Sequence, residues 1–224
     1  MPMVNSRATF DFSTDFEPVV HCVSYSLGFA AAPTLNVKAW PDFLTWAKAN
    51  PKQVSYGVSG LGSISHLFGA MMQQVLGFEL QVVPFKGGAE LNNAVMGGHV
   101  PFGIGVTSDF AEPHKGGRMQ ILAVSSKQRD LSAPDVPTFI ELGYRDLESE
   151  PWFAFFAPRA TPPAAIAAWN EAINAALKDT TVRDKMVRAG FVVGGGSSEE
   201  LRQRIAADKA RWQPVVTKSG VRMD

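Results

Sequence analysis

The sequence predicts an α/β fold in which strands and helices alternate around a parallel, doubly wound sheet. Two observations carry this prediction: short apolar runs recur between glycine and proline breaks, and stretches with helical spacing of apolar residues lie between these runs. Alternating elements with short connections are typical of parallel sheets with helices on both faces. With 224 residues, the chain is long enough to bury a sizeable core.

The predicted elements begin with an apolar segment and a helix. Residues 19–33 are rich in valine, aromatic and small residues, which predicts one long buried strand or two strand pieces. Pro41 then suits the first turn of a helix that Asn50 and Pro51 end. This strand and helix unit recurs. The further strands are predicted over residues 53–56, 79–84, 100–106 and 119–124, and the further helices over residues 63–76, 89–96 and 109–115.

The pattern loosens from residue 125 to residue 151, where prolines recur without a sustained period. This predicts a surface loop plus a crossing between two lobes. A C-terminal α/β block follows. It comprises a strand over residues 152–157, a helix over residues 164–177 capped by Thr161, a helix over residues 180–189, a strand over residues 191–193 and a last helix that Ser197 and Glu200 open with a capping box.

Composition excludes several classes of protein. The 21 basic residues balance the 21 acidic ones, and 46% of the chain is hydrophobic, so we expect neither a disordered chain nor a nucleic-acid partner. The single cysteine, Cys22, can form neither an intramolecular disulfide nor a metal-binding pair. The first fifteen residues lack the features of a signal peptide, and no apolar run reaches the roughly 20 residues of a membrane helix.

A glycine- and serine-rich turn, residues 56–66, is the strongest candidate for chemistry. It joins a strand end to a helix start, where backbone N–H groups, serine hydroxyls and the helix dipole suit a carboxylate or phosphate. The structural alternative is a tight turn with Ser63 as an ordinary N-cap. The candidate ligand-binding residues of this turn are Ser59, Gly60, Gly62, Ser63, Ser65 and His66.

Two further strand ends also carry residues that could bind a ligand. Phe85, Lys86 and Gly87 lie where ligands bind in open α/β sheets, although Lys86 is as well explained as a solvated loop lysine. Thr107 and Ser108 offer hydroxyls at the same edge, unless Ser108 only caps the next helix.

Enzyme signatures are absent from the sequence. It contains no nucleophile elbow, no P-loop and no metalloprotease motif, and its four histidines lack the spacing of metal ligands, so we expect no catalytic residues, metal or cofactor. His66 is more typical of a packed or hydrogen-bonded core histidine than of a base. Gly60 and Gly62 imitate part of a dinucleotide motif, but Ser65 stands where its third glycine belongs, so a nucleotide-dependent enzyme is the alternative hypothesis. Trp152 is a candidate for the wall of a cleft, or for plain core.

The chain resembles the periplasmic solute-binding proteins of tripartite tricarboxylate transporters, the Bug or TctC-type family. The resemblance covers residues 15–224. It rests on the blocks DFEPV at 15–19, WAKANP at 46–51, the turn at 56–67, VPFKG at 83–87, GGHV at 97–100, LAVS at 122–125, DVPT at 135–138, and WF to AP at 152–158.

The resemblance implies a two-lobed, type II periplasmic-binding-protein fold that closes over a small carboxylate, a dicarboxylate or an aromatic acid. It implies a periplasmic location and membrane transporter subunits as partners. Residues 59–65, 85–87 and 105–108 match the family's three binding loops, although Gly105 and Val106 stand where an acidic or amide residue is frequent. The resemblance also implies that the first lobe, residues 1–36 and 147–224, is incomplete because an N-terminal strand and loop are missing, while the second lobe spans residues 37–146.

Overall fold

A computed structural model describes residues 4–5 and 9–221 and divides the chain into two compact units. We call residues 26–151 the central unit, and the segments that precede and follow them the terminal unit. In the described part of the chain, no helix combines the length and the apolar character needed to cross a bilayer.

The helices and strands follow the predicted alternation. The helices are α1 (Phe12–Asp15), α2 (Trp40–Ala49), α3 (Ile64–Leu76), α4 (Gly88–Met96), α5 (Thr107–Lys115), α6 (Pro163–Lys178), α7 (Thr180–Arg188) and α8 (Ser198–Ser219). The strands are β1 (Phe16–Ser24), β2 (Leu27–Ala31), β3 (Ser55–Val58), β4 (Gln81–Pro84), β5 (Phe102–Val106), β6 (Gln120–Val124), β7 (Trp152–Pro158) and β8 (Val192–Val193).

The central unit contains a five-stranded sheet in the order β4-β3-β5-β2-β6. β3 pairs in parallel with β4 and β5, as predicted, but β2 runs antiparallel to both β5 and β6. The prediction of a wholly parallel sheet was therefore wrong. β2 runs antiparallel because it follows β1 of the terminal unit after only two residues. It enters the sheet at the end where β5 finishes, with Leu27 opposite Val106.

Helices cover both faces of this sheet. On one face Tyr56 of β3 packs so closely on Gly69 of α3 that any side chain at position 69 would overlap the Tyr56 ring. On the other face Gly105 of β5 lies against Leu91 of α4 and Phe110 of α5. The helices that follow β3 and β5 thus lie on opposite faces, which makes the sheet doubly wound.

Phe29 of β2 occupies the centre of the aromatic core of the central unit. It is fully buried, and its ring centroid lies 4.8 Å from that of Phe43, 5.3 Å from that of Phe102 and 5.8 Å from that of Trp40. Because Phe43 and Trp40 belong to α2 and Phe102 to β5, this ring joins three elements of the unit.

Residues 125–151 form the predicted loop, much of it exposed, but the segment also contributes buried residues to the central unit. Phe139 and Leu147 are fully buried, and Thr138 forms an isolated parallel bridge with Val124 at the end of β6. Their lack of periodicity has a physical reason: the segment is built from turns whose backbone groups bond to nearby side chains, for example Thr138 N–H to Glu141 Oε2 at 2.7 Å. The segment is a packed part of the central unit.

The terminal unit contains a three-stranded antiparallel sheet in the order β7-β1-β8. α6 and α8 are tied to β1 through the Val19 carbonyl, which accepts hydrogen bonds from Asn170 Nδ2 at 2.8 Å and from Ser198 Oγ at 2.9 Å. α8 begins with the predicted capping box of Ser197 and Glu200. The predicted Thr161 cap was wrong, because α6 begins at Pro163 without a side-chain cap.

The apolar segment over residues 19–33 is two strands that belong to different units. The units divide at residues 25/26 and 151/152, whereas the sequence placed these boundaries at residues 36/37 and 146/147. The difference arises because β2 shares its hydrophobic composition with β1, so composition alone could not locate the crossing between them.

Truncation of Phe29 to alanine should destabilise the central unit strongly. Removing a buried ring from such a site leaves a cavity and lost contacts, with an expected loss of about 3–5 kcal/mol in the free energy of unfolding. Urea unfolding of the F29A variant measures this loss. Leu131→Ala is the control, because Leu131 is 81% exposed and its truncation should change stability by less than about 0.5 kcal/mol. Equal effects of the two variants would contradict this account of the core.

Candidate functional site

The carboxyl ends of β3, β4 and β5 lie at one edge of the central sheet, because the three strands are parallel and adjacent. α3 follows β3 after residues 59–63, α4 follows β4 after residues 85–87, and α5 follows β5 directly. Since α3 and α5 depart to opposite faces, the connections that follow β3 and β5 diverge, and such a divergence is where open α/β sheets bind ligands. Eleven of the twelve predicted site residues lie on the connections or helix starts at this edge, which we call the binding edge.

The turn before α3 is shaped by two glycines and a serine cap. Gly60 and Gly62 have φ angles of 149° and 69°, which favour glycine. Ser63 is the N-cap of α3: its Oγ accepts the His66 N–H at 3.3 Å and donates to the Gly60 carbonyl at 2.7 Å, and it lies 3.0 Å from Ser65 Oγ. The alternative interpretation of Ser63 as an ordinary cap therefore agrees with the structure.

His66 braces the same turn from within the protein. Its Nδ1 accepts the Gly62 N–H at 3.0 Å, so the ring proton resides on Nε2. Burial lowers the pKa of His66 and favours this neutral form. The interaction makes His66 a hydrogen-bonded core histidine that supports the turn, and it removes the Gly62 N–H from the donors available to a ligand.

Backbone donors remain at the start of α3. Within the described residues, no acceptor is recorded for the N–H groups of Ile64 and Ser65, the first two residues of the helix. These groups carry the partial positive charge of the helix dipole. Ser59 precedes them on an exposed stretch, where its hydroxyl is available. A carboxylate is the ligand group that suits these donors.

The connection before α4 contributes a second helix start. Gly87 is the N-cap of α4 and provides no side-chain cap, so the first N–H groups of α4, beginning with that of Gly88, face the binding edge. Lys86 is exposed, and its backbone N–H donates to Glu90 Oε2 at 2.7 Å. Phe85 is half-buried against the core.

The connection after β5 is more enclosed than the sequence indicated. Thr107 is fully buried, with its hydroxyl 2.6 Å from Ser26 Oγ, which in turn lies 2.5 Å from Asp130 Oδ2. Because a carboxylate only accepts, Ser26 donates to Asp130 and accepts from Thr107. Ser108 caps nothing: α5 already begins at Thr107, and the half-buried Ser108 hydroxyl stays available at the edge.

Trp152 belongs to the terminal unit, where it is half-buried in a polar cluster. Its Nε1 donates to Asp208, and Arg204 lies over the ring with its guanidinium carbon 5.9 Å from the ring centroid. His21 packs edge-on at 6.4 Å, and burial, followed by the charge of Arg204, lowers its pKa. Trp152 is thus neither plain core nor exposed.

Sequence reasoning missed the polar partners that only the folded chain brings together. Ser26 and Asp130 are 104 positions apart in the chain, so no local motif could reveal their contact. Asp109, in the first turn of α5, is not predicted as a site residue, because a single acidic residue near a helix start is common. In residues 4–5 and 9–221, no group of three or more His, Cys, Asp or Glu side chains is suited to a metal ion.

Comparison with known proteins places the chain in a family. The model of the "Tripartite tricarboxylate transporter family receptor" matches residues 1–221. Protein BugT of Bordetella pertussis is 30% identical over 209 residues, a match that covers 93% of this chain and 64% of BugT. The chain therefore spans less than two thirds of the length of this relative.

Two solved structures share the fold. Rpa4515 of R. palustris with adipate is 28% identical with a TM-score of 0.88, and the match covers 99% of this chain and 74% of that protein. The periplasmic binding protein BugD is 25% identical with a TM-score of 0.86, with 99% and 75% covered. The α/β fold of a periplasmic binding protein, expected from the sequence, is confirmed.

Replacing His66 with asparagine should weaken the pH dependence of stability. Burial holds the pKa of His66 below its ordinary value of 6.5, whereas the unfolded chain titrates at the ordinary value. The unfolded state then binds more protons, so stability is lost as the pH falls below about 6.5. Between about pH 7.5 and 5.5, wild type should lose more free energy of unfolding than His66→Asn, by at most about 1.4 kcal/mol, because the unfolded state can bind at most one extra proton over the one pH unit below about 6.5.

Urea unfolding at the two pH values measures this difference. His21 and His114, whose pKa values are also lowered, are present in both proteins and cancel in the comparison. Equal losses in the two proteins would contradict a neutral His66 that supports the turn.

Proposed function

The chain belongs to the tripartite tricarboxylate transporter receptor family, and from this membership we propose that it is a solute-binding protein that captures a small carboxylate for uptake. The observation that carries the proposal is the start of α3 at the binding edge. There the N–H groups of Ile64 and Ser65 are available, and the starts of α4 and α5 lie at the same edge. Helix starts are suited to a carboxylate group.

The relatives support this class of ligand. Rpa4515, which shares the fold over almost the whole chain, was solved with adipate, a dicarboxylate. By analogy, we propose that the residues that contact the ligand's carboxylate come from the predicted set on the central unit, with Ser59, Ser65 and Ser108 supplying hydroxyls beside the backbone donors. The Thr107 hydroxyl is bonded to Ser26 and does not contact the ligand; it supports the start of α5 instead.

The proposed role is binding without catalysis. The ligand would be held by backbone donors and hydroxyls, and the braced His66 would not act as a base. Its partners would be the ligand and the membrane subunits of a tripartite tricarboxylate transporter, and its location the periplasm, as for BugD. The structure offers no observation that favours the alternative, a nucleotide-dependent enzyme.

A negative charge placed beside the α3 start should weaken carboxylate binding. Ser59 is exposed, so Ser59→Glu should fold normally while its carboxylate repels the ligand and competes for the helix donors. Calorimetric titration with adipate, succinate and benzoate should show affinity about five- to tenfold lower than that of wild type for each acid that binds. Ser59→Gln is the matched control, because its side chain has the size of glutamate without the charge: it should lose less affinity than Ser59→Glu, since it removes only the Ser59 hydroxyl.

Two results would contradict the proposal. One is wild-type protein that binds none of these acids at millimolar concentration although it is folded. The other is an equal affinity loss in Ser59→Glu and Ser59→Gln, because this would show that side-chain size, and not charge at the helix start, determines binding.

A further inference from the structure

β7 is an edge strand of the sheet in the terminal unit. In the order β7-β1-β8, β1 is the one strand of the described chain that pairs with β7, so the other side of β7 carries no ladder there. The two register shifts in this pairing fall in β1, at Val19 and Cys22, and β7 itself is regular over Trp152–Pro158. A regular strand at the edge of a sheet is a template for pairing with another strand.

Two phenylalanines beside this edge are half exposed. Side chains of a strand alternate between the two faces of its sheet, so Phe153 and Phe155 lie on the face opposite to Trp152, which bonds to α8. Phe153 and Phe155 are 54% and 50% exposed. The Phe153 ring stacks on Tyr25 with a centroid distance of 5.3 Å and meets Phe191 edge-on at 6.2 Å. An apolar, aromatic surface therefore lies next to the open side of β7.

β7 lacks the features by which edge strands usually avoid pairing. Its sequence, WFAFFAP, contains no charged residue, and its one proline, Pro158, stands at its end. Edge strands of natural proteins are commonly protected by lysine, by proline within the strand or by a bulge. None of these interrupts residues 152–157, so the edge favours pairing with an uncharged, aromatic strand.

A second copy of the chain supplies such a strand. Among the 224 residues, those outside the described part occur in runs of three, 1–3, 6–8 and 222–224. A run of three is too short to pair along the seven residues of β7. β7 of a second copy has the matching length, the same lack of charge and the same aromatic side chains.

We propose that two copies of this chain associate by antiparallel pairing of their β7 strands about a twofold axis. Phe155 is the middle residue of the strand, so the axis places Phe155 opposite its own counterpart and Phe153 opposite Ala157 of the other copy. The two three-stranded sheets become one six-stranded sheet. On one face of it, the Phe153 and Phe155 rings of both copies lie together, and aromatic pairs across strands stabilise a sheet.

The size of this surface sets the strength of the dimer. Two half-exposed phenylalanines bury roughly 100 Å² each in each copy. This is well below the roughly 800 Å² per partner of a standard stable interface, so most of the affinity comes from the main-chain hydrogen bonds of the new strand pair. We therefore expect a dissociation constant on the order of 10–100 μM.

Sedimentation velocity of the 224-residue chain tests the proposal. Between about 1 and 200 μM, the wild-type protein should shift from the mass of a monomer to that of a dimer, with no larger species. No ligand is present in this experiment, so its outcome is independent of the proposed function.

Charges at position 155 test the twofold register. Phe155→Lys and Phe155→Glu should each stay monomeric up to about 200 μM, because like charges then face each other across the axis. An equimolar mixture of the two variants should form a dimer again, because a lysine of one copy then faces a glutamate of the other. Trp169→Lys is the matched control: it removes a 63% exposed aromatic side chain from α6 and should dimerise like wild type. Circular dichroism should show the wild-type fold in all variants.

Three results would overturn the proposal. The first is a wild-type protein that remains monomeric over the whole concentration range. The second is association that persists unchanged in the folded Phe155 variants, because another surface then holds the copies together. The third is a mixture of the lysine and glutamate variants that stays monomeric, because position 155 then does not face itself across the axis.

Discussion

The insertion of β2 between β5 and β6 is the constraint on which the central unit depends. β2 pairs antiparallel on both sides, with Leu27 opposite Val106 and Gly28 opposite Val124. Its first residue therefore lies at the edge where β5 and β6 end. The chain therefore enters the central unit at the binding edge, at the same end of the sheet as the candidate site. Phe29, two residues further along β2, packs in the aromatic core of the unit.

Ser125 ties both crossing segments to this end of the central sheet. Its fully buried hydroxyl accepts the Leu27 N–H at 2.9 Å and donates to the Ser149 carbonyl at 2.6 Å, while its own carbonyl accepts the Ser149 N–H at 2.7 Å. The segments that leave and re-enter the central unit are thus held side by side by one residue. Because Ser26 next to Leu27 also bonds to Thr107, the start of α5 is linked by hydrogen bonds to the crossing segments.

Local chemistry explains why the elements of the site were predictable. Ser63 and Gly77 bracket α3, and the glycines of the turn have the backbone angles that the sequence pattern suggested. Each of these features depends on residues a few positions apart. The Thr107 network and the buried residues Phe139 and Leu147 depend on residues distant in the chain, and sequence periodicity carries no information about such contacts.

The sequence by itself determined the alternation of strands and helices, the connections that form the binding edge and the family to which the chain belongs. Only the tertiary structure decided the direction of β2, the place of the crossing at Ser26 and the hydrogen bond by which His66 supports the turn. The physical reason is the distance along the chain over which each feature is determined. Caps, turns and helical spacing are set by neighbours within about four residues. Strand order and the pairing of buried polar groups are set by packing of the whole unit.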